Sequence, residues 1–197
     1  PSIPFTITAF CRGPNILLST TDVSFGQINV LEDVTKEITV FNDSLIESHF
    51  VATFANDNKA FDVFPVESDI LAGQKLTLRI TANLNDVGFF RGRLILSFLH
   101  IAPMTVELKA KGFGSTLVPS IDMEKIDFGY VFIGQKAICH FSLENRGRRS
   151  QEVRWSFPKP KNDESTTVMK SIEPDQITIN KGEIAHFELT IESPIAE

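Results

Sequence analysis

A chain of 197 residues that is 42% hydrophobic holds enough apolar material for one large core or two ordinary ones. Its net charge of −6 argues against nonspecific attraction to nucleic acid or to an anionic membrane surface. No apolar run approaches the roughly 18 residues of a membrane span, and seventeen phenylalanines against one tyrosine and one tryptophan suit packed β-rich cores better than an aromatic binding surface.

In chain order, Pro4-Phe5-Thr6-Ile7 up to Arg12-Gly13 matches Pro103-Met104-Thr105-Val106 up to Lys111-Gly112 at an offset of 99. Residues 1–13 are therefore expected to be the last strand of a preceding repeat. A complete domain is expected over 14–114. Within it Val34, Ile38 and Val40 share one face, as do Phe50, Ala52 and Phe54, then Leu76, Leu78 and Ile80, then Leu94, Leu96 and Phe98. That period of two is the mark of strands with one buried side. Turn chemistry closes each run: Asn42-Asp43-Ser44, Asn56-Asp57-Asn58, Ala72-Gly73, Asn85-Asp86-Val87-Gly88 and Ala102-Pro103. About seven short strands in a hundred residues, with no segment of helical period, predict an all-β, immunoglobulin-like sandwich.

The next stretch repeats the first. Val23-Ser24-Phe25-Gly26-Gln27-Ile28, Val34 to Val40 and Asn42 recur as Ile126-Asp127-Phe128-Gly129-Tyr130-Val131, Ala137 to Leu143 and Asn145, at a constant offset of 103. The match runs on through Phe50 to Phe54 against Val153 to Phe157. After a six-residue insertion it resumes at 109, pairing Pro65 with Pro174, Ile70 with Ile179 and Gly73 with Gly182. A repeat of this length is a whole domain and not a solenoid unit of about 20 to 50 residues. Residues 115–197 are thus a second sandwich, with no counterpart of Arg91 to Phe98 or of Met104 to Ala110. Roughly 25 to 30 further residues are expected to be needed to close it. The joints between repeats are short and carry Pro14 or Pro119, so neighbours are expected at limited angles.

Candidate sites are few. Phe25-Gly26 and Phe128-Gly129 recur because Phe is expected to plug a core while Gly takes a backbone angle closed to other residues. Asn42 and Asn145 close equivalent strands, and Trp155, alternating with Val153 and Phe157, is expected in the core. Arg146, Arg148 and Arg149, with Arg154 nearby, depart from the acidic background. They read either as a solvated turn or as a grip on carboxylate-rich surfaces such as the acidic tails of tubulin, since Arg pairs bidentately with carboxylates. The insertion from Pro158 to Thr167 reads as a loop, a place where partners are met or an insertion is tolerated.

Cys11 and Cys139 do not correspond between repeats, so reduced thiols in a cytosolic compartment are expected and not a disulfide framework. Cys139 lies on the face of Phe141 and Leu143 and reads as a small core residue. His49, His100, His140 and His186 show no paired ligand spacing, and no nucleophile elbow, phosphate loop or dinucleotide fingerprint occurs. No metal, cofactor or catalysis is expected.

The run Ile126-Asp127-Phe128-Gly129-Tyr130-Val131, then Gly134 and Leu143-Glu144-Asn145-Arg146-Gly147, resembles the ASH domain, a relative of the major sperm protein and PapD-like domains found in centrosomal and ciliary proteins. Glu144 to Gln151 followed by Trp155 more particularly resembles the tandem repeats of the hydin family. Repeat one departs from it, with Asn42-Asp43-Ser44 in place of Asn145-Arg146-Gly147. The resemblance implies a non-enzymatic structural module of the ciliary central pair apparatus, required for axoneme assembly and motility and located in the cytoskeleton of the cilium. It implies axonemal or microtubule-associated proteins, tubulin and neighbouring repeats as partners. The alternative is an adaptor of the major sperm protein type that binds short acidic motifs in trafficking or at the centrosome; it needs a basic groove on one sheet, whereas the basic residues gather in a turn.

Overall fold

The computed structural model describes residues 3–4, 6–8, 13–56, 59–157 and 169–192, with no helix among them. The chain divides into two compact units, Pro1–Phe113 and Gly114–Glu197. Of the first thirteen residues, those described form no strand, and Ile3 and Ile7 are exposed. The insertion from Pro158 to Thr167, Cys11, and Asp57 and Asn58 of the second expected turn lie outside the described residues.

The first unit contains β1 (Ile16–Leu18), β2 (Asp22–Asn29), β3 (Asp33–Asn42), β4 (Ser48–Phe54), β5 (Phe61–Phe64), β6 (Glu67–Ile70), β7 (Lys75–Asn83), β8 (Gly88–Phe98) and β9 (Met104–Phe113). They form a four-stranded sheet in the order β1-β3-β7-β5 and a five-stranded sheet in the order β2-β9-β8-β4-β6. The alternation predicted from the sequence decides which side chains enter the core. Ile38, Val40, Leu78 and Ile80 from one sheet join Phe50, Leu94, Leu96, Val106 and Leu108 from the other in a single apolar cluster. Burying each such side chain contributes about 1.5–3 kcal/mol before entropy is counted.

β2 and β9 form the one parallel pair among the described strands of this unit, and the register of β2 slips between Ser24 and Gly26. The slip is a bulge at Phe25. It lets Val23 and Phe25 point inward on one side of Gly26 and Ile28 and Val30 on the other, a shift of phase that strict alternation forbids. Gly26 takes φ +71°, in the left-handed region where a side chain is disfavoured. The Phe25 ring packs on Phe61 with centroids 5.8 Å apart.

The second unit contains β10 (Leu117–Pro119), β11 (Lys136–Asn145), β12 (Gln151–Arg154), β13 (Met169–Glu173), β14 (Gln176–Ile179) and β15 (Ile184–Glu192). The sheet β10-β11-β15-β13 reproduces β1-β3-β7-β5, and the pair β12-β14 reproduces β4-β6. Registers agree too: Gln151 faces Ile179 as Ser48 faces Ile70. Residues 126–131, the counterpart of most of β2, form no strand, and no described residues occupy the places of β8 and β9. Phe141, Leu143, Val153, Ile172, Ile179, Ala185, Phe187 and Leu189 make the core, with Ile126, Phe128, Cys139 and Trp155 packed against it. The repeat also reaches further back than an offset of 103 shows. β10 meets Asn145 through Leu117 as β1 meets Asn42 through Ile16, an offset of 101.

Candidate interaction site

The two asparagines that end β3 and β11 are fully buried and do the same work. Asn42 Nδ2 donates to the carbonyls of Ile46 at 2.8 Å and Ile70 at 2.9 Å. Asn145 Nδ2 donates to those of Arg149 at 2.8 Å and Ile179 at 2.9 Å. Each side chain thus ties the turn that follows its strand to a strand of the opposite sheet. A buried amide is tolerated here because its donors are satisfied. The acceptor oxygens are served differently. Asn42 Oδ1 accepts from the Ser44 hydroxyl, whereas Asn145 Oδ1 accepts from the Gly147 amide at 3.0 Å.

This network holds the arginine turn. The Arg146 amide donates to the Thr116 carbonyl at 3.0 Å, and the Arg146 guanidinium donates to Glu144 at 2.8 Å. Gly147 is buried against Thr116, where a Cβ would overlap that side chain. Arg146, Arg148 and Arg149 are exposed on a turn whose backbone is held by buried groups, although each also has an intramolecular partner. Arg154 stands apart on β12, donating to Gln176 at 2.9 Å. The structure therefore brings together three of the four arginines and not the fourth.

The other residues singled out in the sequence have packing environments. Phe25 is buried, and Phe128 is half-buried against the second core. Gly129 takes φ +65°, and its amide donates to the Asp127 carboxylate at 2.8 Å as the Gly26 amide donates to the Ser24 hydroxyl at 3.4 Å. Trp155 sits one residue beyond the end of β12, so the strand alternation expected to carry it to Phe157 stops short of it. Its ring meets Phe141 and Phe187 edge-on, with centroids 5.6 and 5.4 Å away.

One surface was missed. On the outer face of the β8–β9 hairpin Phe89 lies opposite Lys111, Arg91 opposite Lys109, and Arg93 opposite Glu107. Phe89 is 79% exposed, with the Lys111 ammonium 5.5 Å from its ring centroid. A groove of about 360 Å³ lies among Phe89, Arg91, Lys109, Lys111 and Gly26. The outward positions were visible in the sequence as alternate residues of two runs. Only hairpin register joins Arg91, Arg93, Lys109 and Lys111 on one face, where Arg93 pairs with Glu107 and Lys109 with Asp22, so the basic residues do not gather in a turn alone. On the outer face of β11 and β15 a broader concavity of about 1230 Å³ holds His140, His186 and Glu188. His140 Nδ1 is 3.9 Å from Glu188, and among the described residues no group of three or more His, Cys, Asp or Glu could hold a metal ion. No helix of the described chain is long and apolar enough to cross a membrane.

No family model matches the chain. It is 31% identical over 150 residues to the hydrocephalus-inducing protein of Mus musculus, covering 76% of this chain and 3% of that protein. The chain is built of hydin-type repeats. The human homolog of that protein is 31% identical over 145 residues, covering 73% of this chain and again 3% of its own length. The chain thus spans about 3% of the length of the curated relatives it matches. Among solved structures, the ASH/PapD-like domain 7 of human CEP192 matches with a TM-score of 0.48 at 9% identity, covering 58% of this chain and 97% of that domain. The hydin-type repeats here share the order of the sheets β1-β3-β7-β5 and β10-β11-β15-β13, the pairing of β4-β6 and β12-β14, and the buried asparagine.

Proposed function

We propose that this chain is a non-enzymatic structural module of a very long ciliary protein, in which sandwiches in series position other proteins of the axonemal central pair. The observation that carries the reading is the 31% identity over 150 residues to the mouse hydrocephalus-inducing protein. Two physical features support it. The buried asparagine network gives each sandwich a fixed turn, and fixed turns are suited to carrying contacts. The guanidinium groups of Arg146, Arg148 and Arg149 stand on such a turn and suit carboxylate-rich partners, the acidic tails of tubulin among them.

Tagging the native protein and imaging motile ciliated cells tests this reading. The expected result is signal along the axoneme, with impaired beating after depletion. Signal confined to the centrosome or to trafficking membranes, with normal beating, would overturn it.

A second reading is favoured by the basic face around Phe89, which suits a short acidic peptide of the kind an adaptor binds. Titration with acidic peptides separates the two: saturable binding abolished by Arg91→Glu with Lys109→Glu supports the adaptor, and its absence leaves the scaffold.

A further inference from the structure

The turn after β11 carries a serine at its far end. Ser150 is exposed and is the last residue before β12. It follows Arg148-Arg149, the one pair of consecutive arginines in the sequence, and Arg146 lies four residues before it. The bond from Asn145 Nδ2 to the Arg149 carbonyl, 2.8 Å long, holds the backbone immediately before the serine. The Ser150 hydroxyl donates to Asn180 Oδ1 at 3.1 Å, a bond between exposed groups that water can replace. This hydroxyl is open to solvent, with cations on its N-terminal side.

The first repeat shows what the position tolerates. At the offset of 103 the counterpart of Ser150 is Glu47, which is also exposed. The buried asparagine, its two bonds to carbonyls and the strand pairing that follows are shared by both units. The same turn therefore already carries an anion in one of them. Its surroundings differ in the opposite sense. Leu45 and Ile46, both exposed, stand where the second unit has Arg148 and Arg149, and Leu71-Ala72 stand where it has Asn180-Lys181. The first unit has the anion without the cations; the second has the cations without the anion.

We propose that Ser150 is a phosphoacceptor for an arginine-directed protein kinase, and that the phosphate is held by the guanidinium groups of its own turn. In the transfer Ser150 Oγ forms a bond to the γ-phosphorus of ATP as the bond from that phosphorus to the β–γ bridging oxygen breaks. ADP leaves, and the hydroxyl proton passes to the base of the kinase. The ester oxygen no longer donates to Asn180 Oδ1, and a flip of that amide offers Nδ2 instead. A phosphate carries about −1.5 to −2 charges near neutral pH, which offsets the excess of Arg146, Arg148 and Arg149 over Glu144. Each guanidinium has several N–H donors, enough to keep its present partner and take a phosphate oxygen as well. Attraction of the turn to a carboxylate-rich partner is then switched off. The switch rests on the turn being such a contact, as proposed above; the phosphorylation does not.

The test incubates the folded chain with magnesium ATP and purified cyclic-AMP-dependent and cyclic-GMP-dependent kinases, and maps the phosphate by mass spectrometry. Transfer to Ser150 is expected from at least one of them, absent in Ser150→Ala and slowed by about tenfold or more in Arg148→Gln with Arg149→Gln. No transfer to Ser150, or transfer only after the chain is denatured, would overturn the proposal. Ser150→Glu is expected to melt with the parent chain, as Glu47 implies, and a clear fall in melting temperature would show that the turn does not accept an anion. In co-sedimentation with microtubules the phosphorylated chain is expected to bind more weakly by about tenfold. Equal sedimentation of the two forms overturns the switch. If the unmodified chain fails to sediment while Ser150 still takes phosphate, the contact reading itself is overturned.

Discussion

Asn145 donates its side-chain amide to the carbonyl of Ile179 at 2.9 Å, and the bond from Asn42 to Ile70 in the other repeat has the same length. Neither asparagine exposes any surface. Replacing either by Ala strands one buried carbonyl, that of Ile70 or Ile179, and removes a donor from a part-buried turn carbonyl, at about 1–3 kcal/mol for each group left unpaired. Asn145→Ala and Asn42→Ala are each expected to destabilise their own unit by about 2–4 kcal/mol on that basis. Asn→Asp is expected to cost more, since it removes both donors and buries a carboxylate. Denaturant titration followed by hydrogen exchange, which resolves the two units, checks both. A loss confined to a few tenths of a kcal/mol would show that water satisfies the carbonyls.

Gly147 is tied to Thr116 by space and not by backbone angle. A Cβ at 147 overlaps the Thr116 side chain, and its φ does not fall among the positive values seen at Gly26, Gly129 and Gly182. Gly147→Ala is therefore expected to cost about 1–3 kcal/mol as overpacking. Thr116→Ala should recover part of that cost, because it removes the atoms that clash. A double-mutant cycle measured by chemical denaturation checks the coupling, and additive losses would refute it.

Much of this fold was legible because alternation states which face a residue takes. Leu94, Leu96 and Phe98 were placed on one face from sequence, and all three are buried. Alternation says nothing of which strand lies beside another. That is why Ile126 and Phe128, patterned like Val23 and Phe25, form no strand: β2 depends on β9, some 80 residues away in sequence, for its ladder. The first strand of each repeat escaped notice for a different reason. Two extra residues between Pro119 and Ile126 shift its offset to 101, and a three-residue strand is too short to betray itself by period. The arginine turn was legible as composition, but the support that Asn145 gives it was not. The basic face around Phe89 needed the register of a hairpin, which places Arg91 beside Lys109.

Gly26 offers the reverse case to Gly147. Nothing lies within 4 Å of a Cβ built there, so the whole cost of Gly26→Ala is the backbone at φ +71°. That cost is about 1–2 kcal/mol, and Gly26→Asn is expected to cost less because Asn tolerates the left-handed region better. Thermal or denaturant midpoints of the two variants check the order. Equal losses would mean that the bulge reshapes instead of holding its angle.

The arginine turn yields the last expectation. Arg148 and Arg149 are exposed, while the turn beneath them is held by Asn145, Thr116 and Gly147. Reversing the charge of both side chains should leave the backbone network intact, so the melting temperature is expected to move little, as for most surface substitutions. Attraction to a carboxylate-rich partner should fall sharply, because a guanidinium that pairs bidentately becomes a carboxylate that repels. Co-sedimentation with microtubules checks this, with tubulin lacking its acidic tails as the control. If Arg148→Glu with Arg149→Glu sediments like the parent chain, the turn is a solvated loop and not a contact for carboxylate-rich partners.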